Sequence, residues 1–383
     1  MNRSRVAVVR CETYDEAIVY AAVQRGLDLL GGWSNYIRPT EKILLKPNIL
    51  VGDAPERLVS PHPSVFKAVG QLVKNISPNV SYGDSPGGLG NPRGQARRAQ
   101  LSQCAEALGI PLADFENGRE VYFADSPFIK RFTLANGALD ADGILSIGKF
   151  KTHQLTRITG AIKNQFGCIP GVLKAEFHVK LTNPHDFARM LVCLNLYLRP
   201  RLYIVDGITA MEGNGPRNGD PVKLNVLLLS ADPVALDATM CRIIDLNPEF
   251  VPTMKPGKDW GLGTCLPEEI DLVGDPLESF VNRDFRVVRA PVESIASPSG
   301  AVTMLKNLIS PRPVIEASKC GRCGMCINVC PASPKAVDWR DGNKSKPPVH
   351  KYERCIRCFC CQELCPERAI RVQTPLLGRL LHR

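Results

Sequence analysis

The chain has 383 residues, 48 Lys and Arg against 38 Asp and Glu, a formal charge of +10 and 44% hydrophobic residues. It is therefore neither disordered nor collagen-like, and at ~150 residues per domain it is expected to form two or three domains. No stretch approaches the ~20 apolar residues that span a bilayer, and the apolar run behind the basic start is too short for a signal peptide, so the expectation is a cytoplasmic protein with no membrane span.

In chain order, short continuous runs rich in Val, Ile and Leu predict strands over residues 5–9, 42–45, 80–82, 143–147, 202–205, 226–229 and 270–273. Helical periodicity between them predicts helices over 14–30, 64–74, 94–108, 186–197 and 233–244. This alternation points to an α/β domain over 1–295, with a mostly parallel sheet and helices on both faces. Residues 296–313, rich in Ser, Pro and Gly, read as a linker with a short helix near 302–308. A small α+β domain is expected over 314–373. The basic tail, 374–383, carries Leu376, Leu377, Leu380 and Leu381, which are expected to dock on their own domain rather than on a membrane.

Of the 15 cysteines, eight recur at tight spacings near the C-terminus. Cys320-x2-Cys323-x2-Cys326-x3-Cys330-Pro331 is followed by Cys355-x2-Cys358-x2-Cys361-x3-Cys365-Pro366. This is the two-cluster ferredoxin spacing, in which the fourth cysteine of each run ligates the other cluster. Cys320, Cys323, Cys326 and Cys365 are expected to hold one [4Fe–4S] cluster, and Cys355, Cys358, Cys361 and Cys330 a second. Paired four-cysteine zinc sites are the alternative, but zinc needs neither the third cysteine nor the x3-Cys-Pro ending, twice over. Cys360 breaks the pattern and reads as a buried spare thiol.

Thirteen Lys and Arg against six Asp and Glu give residues 313–383 a charge of +7. Two oxidised clusters of about −2 each would offset most of it, which removes the main argument for nucleic-acid binding.

Polar motifs follow the predicted strands, where α/β sheets bind ligands. They are Lys46-Pro47-Asn48, Gly83-Asp84-Ser85-Pro86-Gly87-Gly88, Lys149-Phe150-Lys151-Thr152-His153, the run from Gly160 to Gly171, Asp206-Gly207-Ile208 with Met211-Glu212-Gly213-Asn214-Gly215-Pro216, and Asp232-Pro233. If these ends converge, Lys46, Lys149, Lys151 and Lys163 form a cationic mouth for a carboxylate or phosphate. Asn48 belongs to that mouth, and Gly87 and Gly88 would allow backbone amides to approach the anion. His153 is a candidate proton donor, or simply a hydrogen-bonded loop histidine. Cys168 could be a thiolate activated by Lys163, or an inert packed thiol. Asp84, Asp206, Glu212 and Asp232 could surround Mg2+, although helix caps and turns explain Asp84 and Asp232 equally well. His178 and His185 fit no ligand spacing.

At these motifs the chain resembles the DUF362 family, defined only as a domain of unknown function and often fused to a ferredoxin-like module. The residues that carry the resemblance are Gly160-Ala161-Ile162-Lys163-Asn164-x-Phe166-Gly167-Cys168-x-Pro170-Gly171 and Met211-Glu212-Gly213-Asn214-Gly215-Pro216, and it extends over about residues 5–290. It implies an iron–sulfur redox context without a substrate or catalytic roles. Gly-x-Gly-x-x-Gly, P-loop and radical S-adenosylmethionine motifs are missing. The resulting expectation is electron transfer from an external donor, through two clusters, to an anionic small molecule or cofactor. A non-catalytic electron-transfer subunit for a partner oxidoreductase is the alternative, and a metal- or cluster-carrying maturation factor a third.

Overall fold

The computed structural model describes residues 3–88, 90–292 and 307–381. The core is an eight-stranded sheet. Its strands are β1 (Ser4–Arg10), β2 (Ile43–Pro47), β3 (Val80–Tyr82), β6 (Gly143–His153), β7 (Arg157–Thr159), β8 (Leu202–Glu212), β9 (Asp220–Ser230) and β10 (Ile270–Gly274). The order is β10-β1-β9-β8-β6-β2-β3, with β7 folded back on β6. Pairs β10–β1, β8–β6, β6–β2 and β2–β3 are parallel, whereas β9 runs antiparallel to both its neighbours. Strands β4 (Gly118–Tyr122) and β5 (Arg131–Ala135) form a separate hairpin, not foreseen in the sequence.

Strand alternation gives the sheet two apolar faces, and helices cover both. Ala7, Val9, Ile43, Leu45, Leu145, Ile147, Ile204 and Leu229 pack with residues of helices Glu16–Leu29 and Pro63–Lys74. Val6, Val8, Val205, Val226 and Leu228 pack instead with helices Pro184–Leu198 and Pro233–Ile243. Local chemistry sets the helix starts. Asp15 and Asp232 accept backbone N–H groups as N-caps, and Pro opens three of these four helices. The single helix expected over 94–108 is two, Pro92–Arg98 and Leu101–Ala107, because Gln100 between them takes a left-handed conformation at φ 59°.

Strands β6 and β8 run well past their apolar cores into the polar motifs, and β6 is buried along its whole length. Lys149, Lys151 and His153 therefore lie on a strand rather than in a loop.

From Arg312 onward the chain forms two small antiparallel pairs. One joins β11 (Arg312–Ile315) to β14 (Ile370–Gln373), the other β12 (Val337–Asp338) to β13 (Val349–His350). Short helices Met325–Asn328 and Cys360–Glu363 carry the middle of each cysteine run. Most of the expected linker, 293–306, lies outside the described residues, as does most of the helix expected near 302–308. The tail forms helix Leu376–Leu381, whose Gly378 packs against the Ile309 carbonyl while Leu376 and Leu377 stay exposed. Residues 382 and 383 lie outside the description. Among the described residues no helix is long and apolar enough to cross a membrane.

Candidate functional site

The parallel strands β2, β3, β6 and β8 end together, and the polar motifs meet there. Register explains the first ion pair: Lys149 on β6 stands directly opposite Asp206 on β8. Lys149 Nζ lies 2.7 Å from Asp206 Oδ2 and donates to Tyr14 Oη at 2.9 Å, while Tyr14 donates to Asp206 Oδ1. A second pair joins Lys46 Nζ to Asp84 Oδ1 at 2.7 Å, and Asn164 Oδ1 also accepts from that ammonium at 2.9 Å. All four charged groups of these pairs are buried.

Two lysines have no such carboxylate. Lys151, 1% exposed, donates among the described residues to the Val59 carbonyl, at 2.6 Å. Lys163 makes no hydrogen bond or ion pair among the described residues; its ammonium sits 5.7 Å from the centre of the Phe166 ring. Burial drives both ammonium groups toward losing their protons, Lys151 strongly. A fifth cation, Lys174, donates to Ser85 Oγ and the Ile169 carbonyl, and burial brings it down to about 8. Lys174 follows the quoted Gly-rich motif and escaped notice because its helix, Leu173–Lys180, has no clear apolar periodicity.

The remaining wall comes from the cysteine-rich part. Glu363 Oε1 lies 3.0 Å from His153 Nε2, off the axis of a well-aligned hydrogen bond. His153 Nδ1 accepts from the backbone N–H groups of Leu155 and Thr156, so the ring proton belongs on Nε2, facing the carboxylate. Burial and neighbouring lysines lower His153 to about 4, which keeps it neutral near pH 7. Burial opposes ionisation of Glu363, but His153 and Lys163 outweigh it and hold the carboxyl down at about 2. His178, also lowered to about 4 by burial, stacks on Phe187.

Beside Glu363, Gln362 Nε2 donates to the carbonyls of Asn214 and Gly215, and Asn218 Nδ2 donates to the Gln362 carbonyl. Arg217, paired with Asp53, donates to the Leu364 carbonyl. Asn214 Nδ2 reaches the carbonyl of Ile370. Thus Gln362, Glu363 and Leu364, none singled out from sequence, fasten the cysteine-rich part to the strand ends. Their only signal was their position between ligand-spaced cysteines.

Several expectations need correcting. Gly87 does not offer its amide to an anion, because its N–H is bonded to the Leu50 carbonyl; a Cβ at Gly87 or Gly88 would meet Leu364 at 3.5 Å. Those contacts are ordinary ones that a methyl group would tolerate; Gly88 is favoured instead by its φ of 78°. Cys168 is wholly buried in an apolar cluster, and burial pushes its thiol up to about 12, so the packed-thiol alternative is the one observed. Asp84, Asp206, Glu212 and Asp232 do not surround a cation: the first two pair with lysines, Glu212 pairs with Arg286, and Asp232 caps a helix. Asn48 is partly buried, with Oδ1 unbonded.

The cysteines line two cavities. One is bordered by Cys320, Cys323, Cys326 and Cys365, the other by Cys330, Cys355, Cys358 and Cys361. Each thus mixes three cysteines of one run with the fourth of the other. Among the described residues no three His, Cys, Asp or Glu side chains converge closely enough for a single metal ion. Soft thiol donors spread around a cavity fit a multi-iron cluster better than a lone zinc. Cys360 borders neither cavity, and all fifteen cysteines are free. The Ala336 N–H points to Cys330 Sγ at 3.3 Å, a bond of the kind that stabilises a thiolate.

Residues 43–242 match the family described as a domain of unknown function, DUF362, and residues 298–369 match the 4Fe-4S dicluster domain. This chain belongs to the DUF362 family. The DUF362 chain is 36% identical over 278 residues to the thylakoid-associated protein sll1697 of Synechocystis sp., a match covering 72% of this chain and 86% of that protein. Among solved structures, the apoprotein of lactate racemase from Thermoanaerobacterium thermosaccharolyticum aligns with a TM-score of 0.39 at 12% identity, over 63% of this chain and 57% of that one. With its 4Fe-4S domain, the DUF362 chain is an iron–sulfur protein suited to electron transfer.

Proposed function

We propose that this chain takes electrons from an external donor protein and passes them, one at a time, through two [4Fe–4S] clusters to an anionic small molecule or cofactor at the strand ends. Cys320, Cys323, Cys326 and Cys365 hold one cluster, and Cys330, Cys355, Cys358 and Cys361 the other, within a ferredoxin unit over 314–373 joined to an α/β unit over 1–295. The clusters supply one-electron chemistry; the surrounding residues bind and orient.

The observation that carries this reading is the placement of Gln362-Glu363-Leu364. These residues lie between Cys361, on one cavity, and Cys365, on the other, and they end against the buried lysines. Lys151 and Lys163 meet the anion. Lys46 and Lys149, already paired, hold the shape of the site, and Asn48 adds a free acceptor. His153 presents a neutral Nε2–H instead of acting as an imidazolium acid, and Cys168 takes no part. A reducing, cytoplasmic setting suits fifteen cysteines with no disulfide among them.

A second reading is a non-catalytic electron-transfer subunit, favoured by the exposure of Cys323 at the first cavity. Native mass spectrometry of the anaerobically purified full chain tests the choice. A co-purifying anion that reoxidises the photoreduced clusters supports the reductase. Reoxidation by a partner protein alone, with no small molecule bound, supports the subunit.

A further inference from the structure

Charge around the strand ends does not balance. Among the described residues, the carboxylates that act most strongly on Lys46, Lys149, Lys151, Lys163 and Lys174 are three, Asp84, Asp206 and Glu363. Two carboxylates are used in close pairs with Lys46 and Lys149. Glu363 faces His153, which accepts two backbone N–H groups on its other nitrogen and carries no formal charge in that arrangement. His178 is packed between Phe166 and Phe187 and has no ion pair among the described residues. With all five lysines protonated, the cluster carries an excess of two positive charges. A charge buried without a counter-charge costs several kcal/mol or is lost by deprotonation, so such an excess persists only if something compensates it.

We propose that the ligand is a dianion, a phosphoryl monoester or a dicarboxylate, whose two charges are met by Lys151 and Lys163. This rests on the reading that the strand ends bind an anion, and adds the charge of that anion. Lys163 and Lys174 keep partial exposure whereas Lys46, Lys149 and Lys151 keep almost none, so the ligand enters from the side of Lys163. An iron–sulfur cluster is the competing counter-charge, since Lys163 stands near Cys360. Against that, the second cysteine cavity has its own cation in buried Arg357, while neither Lys151 nor Lys163 borders it.

The test is calorimetric titration of the full iron-loaded chain, without oxygen at pH 8, with inorganic phosphate and succinate against acetate and nitrate. Dianions are expected to bind at least tenfold more tightly than monoanions. Lys163→Met should remove that preference, and Glu363→Gln, which increases the positive excess, should tighten phosphate several-fold. Iron content and cluster potential are measured for each variant, so a misfolded one is recognised and the oppositely directed variant decides. Monoanions binding as tightly as dianions would overturn the dianion while leaving the anion site intact; no binding of any anion would overturn the site itself. A lowered cluster potential in Lys163→Met with unchanged phosphate affinity would assign the excess charge to the cluster and end the proposal.

Discussion

His153 Nε2 and Glu363 Oε1 meet at 3.0 Å, although one residue ends a strand of the central sheet and the other lies between two ligand-spaced cysteines. The contact joins the two halves of the site through a pair of buried side chains. Replacing His153 with Leu leaves the carboxylate buried without its donor. Leaving a buried polar group without its partner costs about 1–3 kcal/mol, so H153L should lose about that much in urea unfolding of the iron-loaded chain. The double variant H153L/E363L should recover part of the loss; simple additivity would mean the two residues do not interact.

The Lys46–Asp84 pair depends on a glycine. A Cβ at Gly167 would collide with Asp84 Oδ1 and stand 2.8 Å from Lys46 Nζ, and neither buried neighbour can retreat into solvent. Gly167→Ala should therefore destabilise the protein by about 3–5 kcal/mol, the cost of breaking a buried ion pair, as should Lys46→Met. Thermal unfolding of both variants measures it.

Asp237 gives the fold a pH dependence. It is buried and accepts from Ala161 N–H and Ile162 N–H at the start of the turn that carries Lys163. Burial outweighs those bonds and raises its carboxyl from 3.8 to about 7. The folded state thus holds a proton that the unfolded chain has released. This contribution is fully present below about pH 4 and is lost as pH rises through 7, on the order of 4 kcal/mol by linkage. Asp237→Asn should flatten the slope of stability between pH 5 and 7; an unchanged slope would place the titration elsewhere.

Each cysteine cavity borrows one thiol from the other run, so Cys330→Ser and Cys365→Ser should have crossed effects. C330S should impair the cluster held by Cys355, Cys358 and Cys361, and C365S the one held by Cys320, Cys323 and Cys326. Loss of one cluster removes about four iron per chain, and electron paramagnetic resonance of the reduced variants identifies the survivor. Cys360→Ser should leave the iron content unchanged, because Cys360 borders neither cavity.

The apolar half of the architecture was legible because strands covered on both faces must be continuous runs of Val, Ile and Leu, and every expected run is a strand. Strand length was not. Residues 143–147 carry that signature, but β6 continues to His153 since residues far along the chain bury Lys149, Lys151 and His153, and no local pattern records a distant cover. For the same reason Lys46 and Lys149 read as free cations, when register and burial pair each with an aspartate. Gly87 reads as an amide donor for an anion, whereas its N–H is taken by the Leu50 carbonyl, a distant partner that no local pattern records. The cysteine spacing needed no tertiary information, being a short-range geometric code.

The most direct test of the account is elemental and reductive analysis of the anaerobically purified full chain. Two four-iron clusters predict about eight iron and eight labile sulfide per chain, no zinc, and uptake of two electrons with bleaching of a broad visible band. A colourless protein binding zinc, or one that accepts no electrons after reconstitution with iron and sulfide, would contradict it.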